Sequence, residues 1–248
     1  MQEHNKRIGS CPLFLSVVIP VYNEERSLSE LIERIVQSCQ LYESYEIICV
    51  DDGSTDASFE ILCGLNEQYP QLIIIKFKEN AGQSAALAAG FKAAQGEIIV
   101  SMDADLQNPP EAIPLLLKNM DGVDAVIGWR KDRQDPFITR AGSRIANFIR
   151  RVILQDPFHD NGCALKVFRR YVVCDLLMFK NVVIFLPNLI HLAGYRIREI
   201  PIPHNIRKYG QSKNRMFSFS GVVAFFDIFF LLGFRKRRIK YTIDKVIS

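Results

Sequence analysis

The chain has 248 residues, of which 48% are hydrophobic and 23% are charged. This composition suits one large α/β domain, or one domain with an appendage, and it argues against general disorder. The formal net charge of +4 is mild. Basic residues are concentrated near the C-terminus, which favours an anionic partner or surface over sequence-specific binding of nucleic acid.

The first 130 residues alternate short apolar runs with helical patterns. In the first helix, apolar residues recur at helical spacing from Leu28 to Val36. Ser27, directly before this helix, and Glu30, in its first turn, are spaced as a capping box. Strands are predicted at 14–20, at the start of 45–56, at 72–77, 98–103 and 124–130, with a small-residue helix over 80–97. This alternation predicts a mostly parallel sheet covered by helices on both faces.

The pattern changes after residue 130. A charged loop leads into a basic amphipathic helix within 131–155, and a turn with a short strand is predicted within 159–170. A strand, a proline-broken turn and a polar loop follow within 195–213. We therefore expect an N-terminal tail over 1–13, a catalytic domain over 14–213 and a C-terminal segment over 214–248.

Polar clusters stand where four predicted strands end. They are Tyr22 to Glu24, Asp51 with Asp52, Asp103 with Asp105, and Arg130. Ligands of parallel α/β sheets bind beyond the carboxyl ends of the strands. We expect one crevice to collect all four clusters.

Asp103 and Asp105 lie two positions apart, so in an extended backbone their side chains point the same way, with Gln107 continuing that face. Two neighbouring carboxylates raise each other's pKa, and both stay ionised when a cation lies between them. Oxygen ligands suit Mg²⁺ or Mn²⁺, and such a metal usually completes its shell with phosphate oxygens. The alternative is a solvated acidic turn followed by a helix cap in the NPPE run.

The run DDGSTD is either a tight turn that caps a helix or a nucleoside contact through Asp52. Neighbouring residues of a strand face opposite ways, so Asp51 and Asp52 should serve different partners. The chain has neither a P-loop nor a G-x-G-x-x-G fingerprint, which argues against an ATPase and a nicotinamide dehydrogenase.

Six cysteines without CxxC spacing make a zinc site improbable and favour a reducing compartment. The N-terminal residues show no long apolar stretch, so no signal peptide is expected.

Four runs, VVIPVYNEE, VDDGSTD, NAGQSAALAAGF and SMDADLQNPPE, together resemble the family 2, A-type (GT-A) inverting glycosyltransferases over 16–130. The later runs GWRKDRQDPFITRAGSRIANFI, DNGCALKVFRR and REIPIPHNIRKYGQSK are similar to the polyprenyl-phosphate branch. That branch includes dolichyl-phosphate mannosyltransferase and undecaprenyl-phosphate sugar transferases. The resemblance extends over about 16–230 and implies a Rossmann-like GT-A fold.

The resemblance also assigns site residues by position. The nucleoside pocket would comprise Pro20, Tyr22, Glu24, Val50 and Asp52. The sugar-diphosphate and metal triplet would be Asp103, Ala104 and Asp105, with Gln107 as a further metal ligand. Phosphate-binding cations would be Arg130, Arg207 and Lys213, and acceptor-phosphate contacts Ser143 with Arg140 or Arg144. Asp160 matches an acidic residue near the sugar.

These assignments imply metal-dependent transfer of a sugar from a UDP- or GDP-sugar to a polyprenyl phosphate, with inversion. A lipid monophosphate is already an anionic nucleophile, so Asp160 would orient groups rather than act as a strict base. Arginine binds its phosphate, and the metal stabilises the departing diphosphate. For a single arginine within 130–151, a solvated helix charge is the alternative.

The run 216–234 has the length of a membrane span, but Asp227 in its second half and the basic run after it favour an interfacial helix. A buried core helix is the alternative. Candidate lipid-facing residues are Met216, Phe217, Phe219, Phe225, Phe226, Phe229 and Phe230. Many branch members continue into two or more transmembrane helices, for which the residues up to Ser248 leave no room. We therefore expect a peripheral enzyme at the cytoplasmic membrane face, or one anchored by a partner protein.

Two other functions stay open at the level of the sequence. One is the same enzyme class with another glycolipid or cell-envelope polysaccharide as acceptor. The other is a non-catalytic protein that binds a nucleotide-sugar at the membrane.

Overall fold

The computed structural model describes residues 14–130, 158–174, 176, 182–205 and 243–247. Its strands are β1 (Phe14–Val21), β2 (Ser44–Asp51), β3 (Leu72–Phe77), β4 (Ile98–Ser101), β5 (Ala125–Arg130), β6 (Lys166–Arg169), β7 (Ile197–Ile202) and β8 (Ile243–Ile247). Its helices are α1 (Leu28–Cys39), α2 (Ser58–Gln68), α3 (Gln83–Ala93), α4 (Ile113–Lys118), α5 (Arg170–Cys174) and α6 (Val182–Leu192), with a 3₁₀ turn at Pro110–Ala112 before α4.

The strands form one sheet in the order β7-β5-β6-β4-β1-β2-β3-β8. Strand β1 pairs in parallel with β2 and β4, β2 with β3, and β5 with β7. Strand β6 runs antiparallel between β4 and β5, and β8 runs antiparallel along β3. The predicted α/β class, a mostly parallel sheet flanked by helices, is confirmed.

Helix α1 covers one face of the sheet as its apolar spacing predicts. Leu28, Leu31, Ile32 and Ile35 recur along one stripe and are all fully buried. On the other face α3 presents small residues. A Cβ added at Gly90 would lie 2.3 Å from a methyl carbon of Val18, so glycine permits this close approach of helix and strand.

Three local predictions differ from the structure. Ser27 precedes α1, but its hydroxyl donates to the Glu24 carbonyl instead of accepting from the helix, so the predicted capping box is absent. Helix α3 is shorter than the predicted 80–97, because residues 80–82 form a loop bound to Asp52. Strand β4 ends at Ser101, two residues earlier than predicted.

Residues 243–247, predicted to lie in the C-terminal segment outside the catalytic domain, join the sheet as β8. Lys245 pairs with Lys76 of β3. A strand at the edge of a sheet leaves backbone N–H and C=O groups without partners. Strand β8 supplies such partners along β3.

The predicted basic helix, the interfacial helix over 216–234 and the boundary at 213/214 lie outside the described residues. Within the described ranges, no helix is both long and apolar enough to cross a membrane.

Candidate active site

The strand ends bring several predicted site residues together. Strands β1, β2, β4 and β5 run in the same direction, so their carboxyl ends share one edge of the sheet. Asp103, just beyond β4, interacts electrostatically with Asp105, Arg130 and Glu24. Strands β1, β4 and β5 therefore contribute charged side chains to one site, as predicted.

The loops after β1 and β2 brace each other at this edge. The Asn23 amide donates to the Ser54 hydroxyl at 3.0 Å, and the Glu24 amide donates to the Ser58 hydroxyl at 2.8 Å. Pro20 and Val50 are register partners in β1 and β2. These bonds hold the backbone of the predicted nucleoside pocket.

Asp51 and Asp52 serve different partners, as predicted. The Asp51 carboxylate accepts the Ser54 amide at 3.1 Å. Asp52 is 3% exposed and accepts the Ala81 amide at 2.7 Å and the Gly82 amide at 2.9 Å. Burial raises the pKa of Asp52, and these two amides oppose the rise. Asp52 thus anchors the loop before α3, and its contact with a base stays a prediction.

The two aspartates after β4 repel each other, as their spacing predicts. Burial, and then the charge of Asp105, raise the pKa of Asp103 to about 6. Asp103 accepts a hydrogen bond from the Gln83 side chain at 2.7 Å. Asp105 accepts a hydrogen bond from the backbone N–H of Gln107 at 3.1 Å. Gln83 was missed in the sequence because it lies 20 residues away, at the start of α3.

This arrangement fits a divalent cation, because a cation between the carboxylates would relieve their repulsion. The part of the chain that the structure describes holds no group of three or more His, Cys, Asp or Glu residues suited to a metal. Further ligands would then be the Gln107 side chain or oxygens of a bound substrate. The backbone carbonyl of Gln107 accepts a hydrogen bond from the backbone N–H of Asn205 at 2.8 Å, which fixes the turn that follows β4.

Arg130 and Asp160, which the family resemblance assigns to separate roles, form one buried ion pair. Nε and Nη2 of Arg130 donate to the two carboxylate oxygens of Asp160 at 2.7 and 2.8 Å, and the Arg130 amide adds a third bond at 3.1 Å. The side chains are 11% and 9% exposed. Burial lowers the pKa of Arg130, but the hydrogen bond and charge of Asp160 outweigh it and the pKa is raised. Arg130 therefore remains a cation.

A buried lysine at this site was missed in the sequence. Lys166 is 1% exposed, and its ammonium donates to the Cys163 carbonyl. Burial lowers the pKa of Lys166, while Cys163, Asp103 and Asp160 oppose that change. A lysine inside the apolar run CALKVF was the available signal, because an unpaired buried ammonium is costly.

The predicted acceptor and phosphate contacts Ser143, Arg140, Arg144, Arg207 and Lys213 lie outside the described residues. Their roles stay predictions.

The chain matches the family model described as glycosyl transferase family 2 over residues 16–177. The chain belongs to glycosyl transferase family 2. Among curated proteins, undecaprenyl-phosphate 4-deoxy-4-formamido-L-arabinose transferase of Salmonella choleraesuis is 40% identical over 202 residues, which are 80% of this chain. The match covers 62% of that relative's length. The resemblance to the polyprenyl-phosphate branch is confirmed.

Solved structures confirm the GT-A fold of this family 2 chain. A mannosyltransferase from Pyrobaculum calidifontis, solved with GDP-Man and Mn²⁺, superposes with a TM-score of 0.68 at 22% identity, covering 92% of this chain and 67% of that one. Glucosyl-3-phosphoglycerate synthase from Mycobacterium tuberculosis, solved with Mn²⁺ and UDP-glucose, gives 0.66 at 18% identity, covering 94% and 86%.

Proposed function

We propose that the protein transfers a sugar from a nucleotide-sugar to a polyprenyl phosphate with inversion, using Mg²⁺ or Mn²⁺. The observation that carries this proposal is the pair of mutually repelling carboxylates, Asp103 and Asp105, beside the Arg130–Asp160 ion pair. Membership of glycosyl transferase family 2 supports the reaction class. The name of the Salmonella relative supports the lipid acceptor.

On the donor side, Asp103 and Asp105 would hold the metal, with Gln107 as a further ligand. A bound divalent cation would offset negative charge on the departing nucleoside diphosphate. Gln83 orients the Asp103 carboxylate through its 2.7 Å hydrogen bond. The braced loops after β1 and β2, with Tyr22 and Glu24, would receive the nucleoside.

On the acceptor side, Arg130 would bind phosphate. Its Nε and Nη2 face Asp160, so Nη1 points away from the pair and would meet a phosphate oxygen. Asp160 orients the guanidinium and needs no proton from the acceptor, because a lipid monophosphate is already anionic. Ser143, Arg207 and Lys213 are the further acceptor or phosphate contacts that we propose from the family resemblance.

We place the reaction at the cytoplasmic membrane face, where a nucleotide-sugar and a lipid phosphate meet. The Phe-rich run 216–234 and the five basic residues within 235–240 support contact with anionic headgroups. An anchoring partner protein is the other arrangement that we propose.

The test is transfer of radiolabelled sugar by the purified full chain to undecaprenyl or dolichyl phosphate in vesicles, with Mg²⁺ or Mn²⁺. The donor panel contains UDP- and GDP-hexoses and a UDP-linked 4-formamido-arabinose. Asp105→Ala should lose at least ~10²-fold in rate, and Asp121→Ala, an exposed aspartate between α4 and β5, should match the wild type. Equal transfer by wild type and Asp105→Ala would contradict the metal mechanism. Transfer to other acceptors but not to polyprenyl phosphate would contradict the acceptor assignment.

A further inference from the structure

Glu199 gathers three hydrogen-bond donors from one short turn. It lies on β7, and its side chain is 11% exposed. Its carboxylate accepts the Asp160 amide at 2.9 Å and the His159 amide at 3.0 Å. Its Oε2 also lies 2.6 Å from Nδ1 of the His159 ring. One carboxylate therefore binds the N–H groups of two consecutive peptide units, those of His159 and Asp160.

Asp160 itself belongs to no strand or helix, so these contacts fix its position. Its carboxylate is bound by Arg130 at the end of β5, and its amide by Glu199 on β7. Strands β5 and β7 pair in parallel, with Ile127 opposite Glu199 and Arg130 opposite Ile202. The turn is thus fastened to two hydrogen-bonded strands at once.

An aromatic contact adds a third constraint on the same turn. The His159 ring stacks on Trp129, with centroids 4.5 Å apart and planes 22° apart. Trp129 directly precedes Arg130 in β5. The residues that flank the Arg130–Asp160 pair in sequence are therefore also in contact.

We propose that Glu199 is a positioning residue that holds Asp160, and through it Arg130, in register with the acceptor phosphate. This inference rests on the proposed function, since it concerns the same site. A misplacement of about 1 Å at a reacting group lowers rates by about 10²-fold. Glu199→Gln keeps one acceptor oxygen but replaces the other with an NH₂ group. That NH₂ group cannot accept from the backbone N–H groups of His159 and Asp160 or from the His159 ring. We expect kcat to fall about 10- to 100-fold while KM for the nucleotide-sugar changes less than about twofold.

The experiment is a double-mutant cycle with Glu199→Gln, Asp160→Asn and the double variant, measured as transfer to polyprenyl phosphate. If Glu199 acts through Asp160, the double variant should be no more than about twofold slower than Asp160→Asn alone, because the lost interactions are shared. Thermal unfolding of each variant checks that the fold persists. Should Glu199→Gln fail to fold, Glu199→Asp, which keeps the charge on a shorter side chain, takes its place in the cycle.

Glu46 provides a matched control. It is also a buried carboxylate that binds a backbone amide, since it accepts the Gln95 amide at 2.7 Å and the Ser16 hydroxyl at 2.6 Å. It lies at the amino ends of β1 and β2, away from the site. Glu46→Gln should lower the melting temperature while keeping the wild-type kcat. If kcat does fall, the fold-loss in the Glu46→Gln, Asp160→Asn double variant should equal the product of the two single fold-losses.

The outcomes separate the two proposals. Full activity of Asp160→Asn would contradict the role of Asp160 in the proposed function. A slow Asp160→Asn combined with a wild-type kcat for Glu199→Gln would overturn the inference about Glu199 alone. The inference would also be overturned if the fold-losses in kcat of Glu199→Gln and Asp160→Asn simply multiplied in the double variant. Such a result would indicate a purely structural contribution of Glu199.

Discussion

Replacing Asp103 by asparagine is expected to stabilise the metal-free protein at neutral pH while removing its metal response. Burial and the charge of Asp105 raise the pKa of Asp103 from 3.8 to about 6. The folded state therefore binds the proton more tightly than the unfolded state does. Ionisation of Asp103 then lowers the free energy of unfolding as the pH rises from about 4 to about 6.

The size of this effect follows from the same two values. At 1.36 kcal/mol per pKa unit, the difference corresponds to about 3 kcal/mol. Solvent at the partly exposed site and a changed bond to Gln83 reduce the gain, so we expect Asp103→Asn to add about 1–3 kcal/mol at pH 7.5. The gain should shrink as the pH falls from 6 towards 4, where the carboxyl of the wild type becomes protonated.

Urea unfolding with EDTA across pH 4.5–7.5 measures this effect, and Asp121→Asn, on an exposed loop, provides the control. Addition of Mn²⁺ should raise the midpoint of the wild type but not that of Asp103→Asn, because a ligand stabilises the state that binds it. A variant no more stable than the wild type at pH 7.5 would refute the electrostatic reasoning. A gain that stays constant down to pH 4.5 would refute it as well.

Three further substitutions, the last with a matched glycine control, test other parts of the site. Arg130→Met leaves the buried Asp160 carboxylate without its cation and should cost about 3–5 kcal/mol in urea unfolding, whereas an unchanged midpoint would contradict the buried ion pair. Lys166→Met removes a positive charge that interacts with Asp103 and would repel a dication held there, so Mn²⁺ affinity by calorimetry at pH 7.5 should strengthen several-fold; unchanged affinity would exclude this coupling. Gly53→Ala introduces a Cβ 2.7 Å from the Glu79 carbonyl carbon at a φ of +71° and should destabilise by about 1–3 kcal/mol. Gly64→Ala in α2, where a Cβ meets nothing within 4 Å, should be neutral or stabilising, and equal effects of the two would contradict the steric argument.

Much of the fold and part of the site followed from local pattern. The apolar stripe of α1 and the buried run of β2 were predictable because each depends on the period of a single element. The different partners of Asp51 and Asp52 follow from the alternation of side chains along a strand, and the repulsion between Asp103 and Asp105 follows from their separation by a single residue. The failed capping box at Ser27 marks the limit of such rules, because the Ser27 hydroxyl donates to the Glu24 carbonyl and accepts no hydrogen bond from the first turn of α1.

By itself, the sequence determined the succession of strands and helices and the polar residues at the strand ends. Only the tertiary structure decided which of those polar residues meet. Asp160 pairs with Arg130 across 30 residues and is held by Glu199 across 39, and β8 closes an edge formed by a strand near residue 75. These contacts depend on the order and direction of strands in the sheet, and that order is a property of the whole packed chain rather than of any local run.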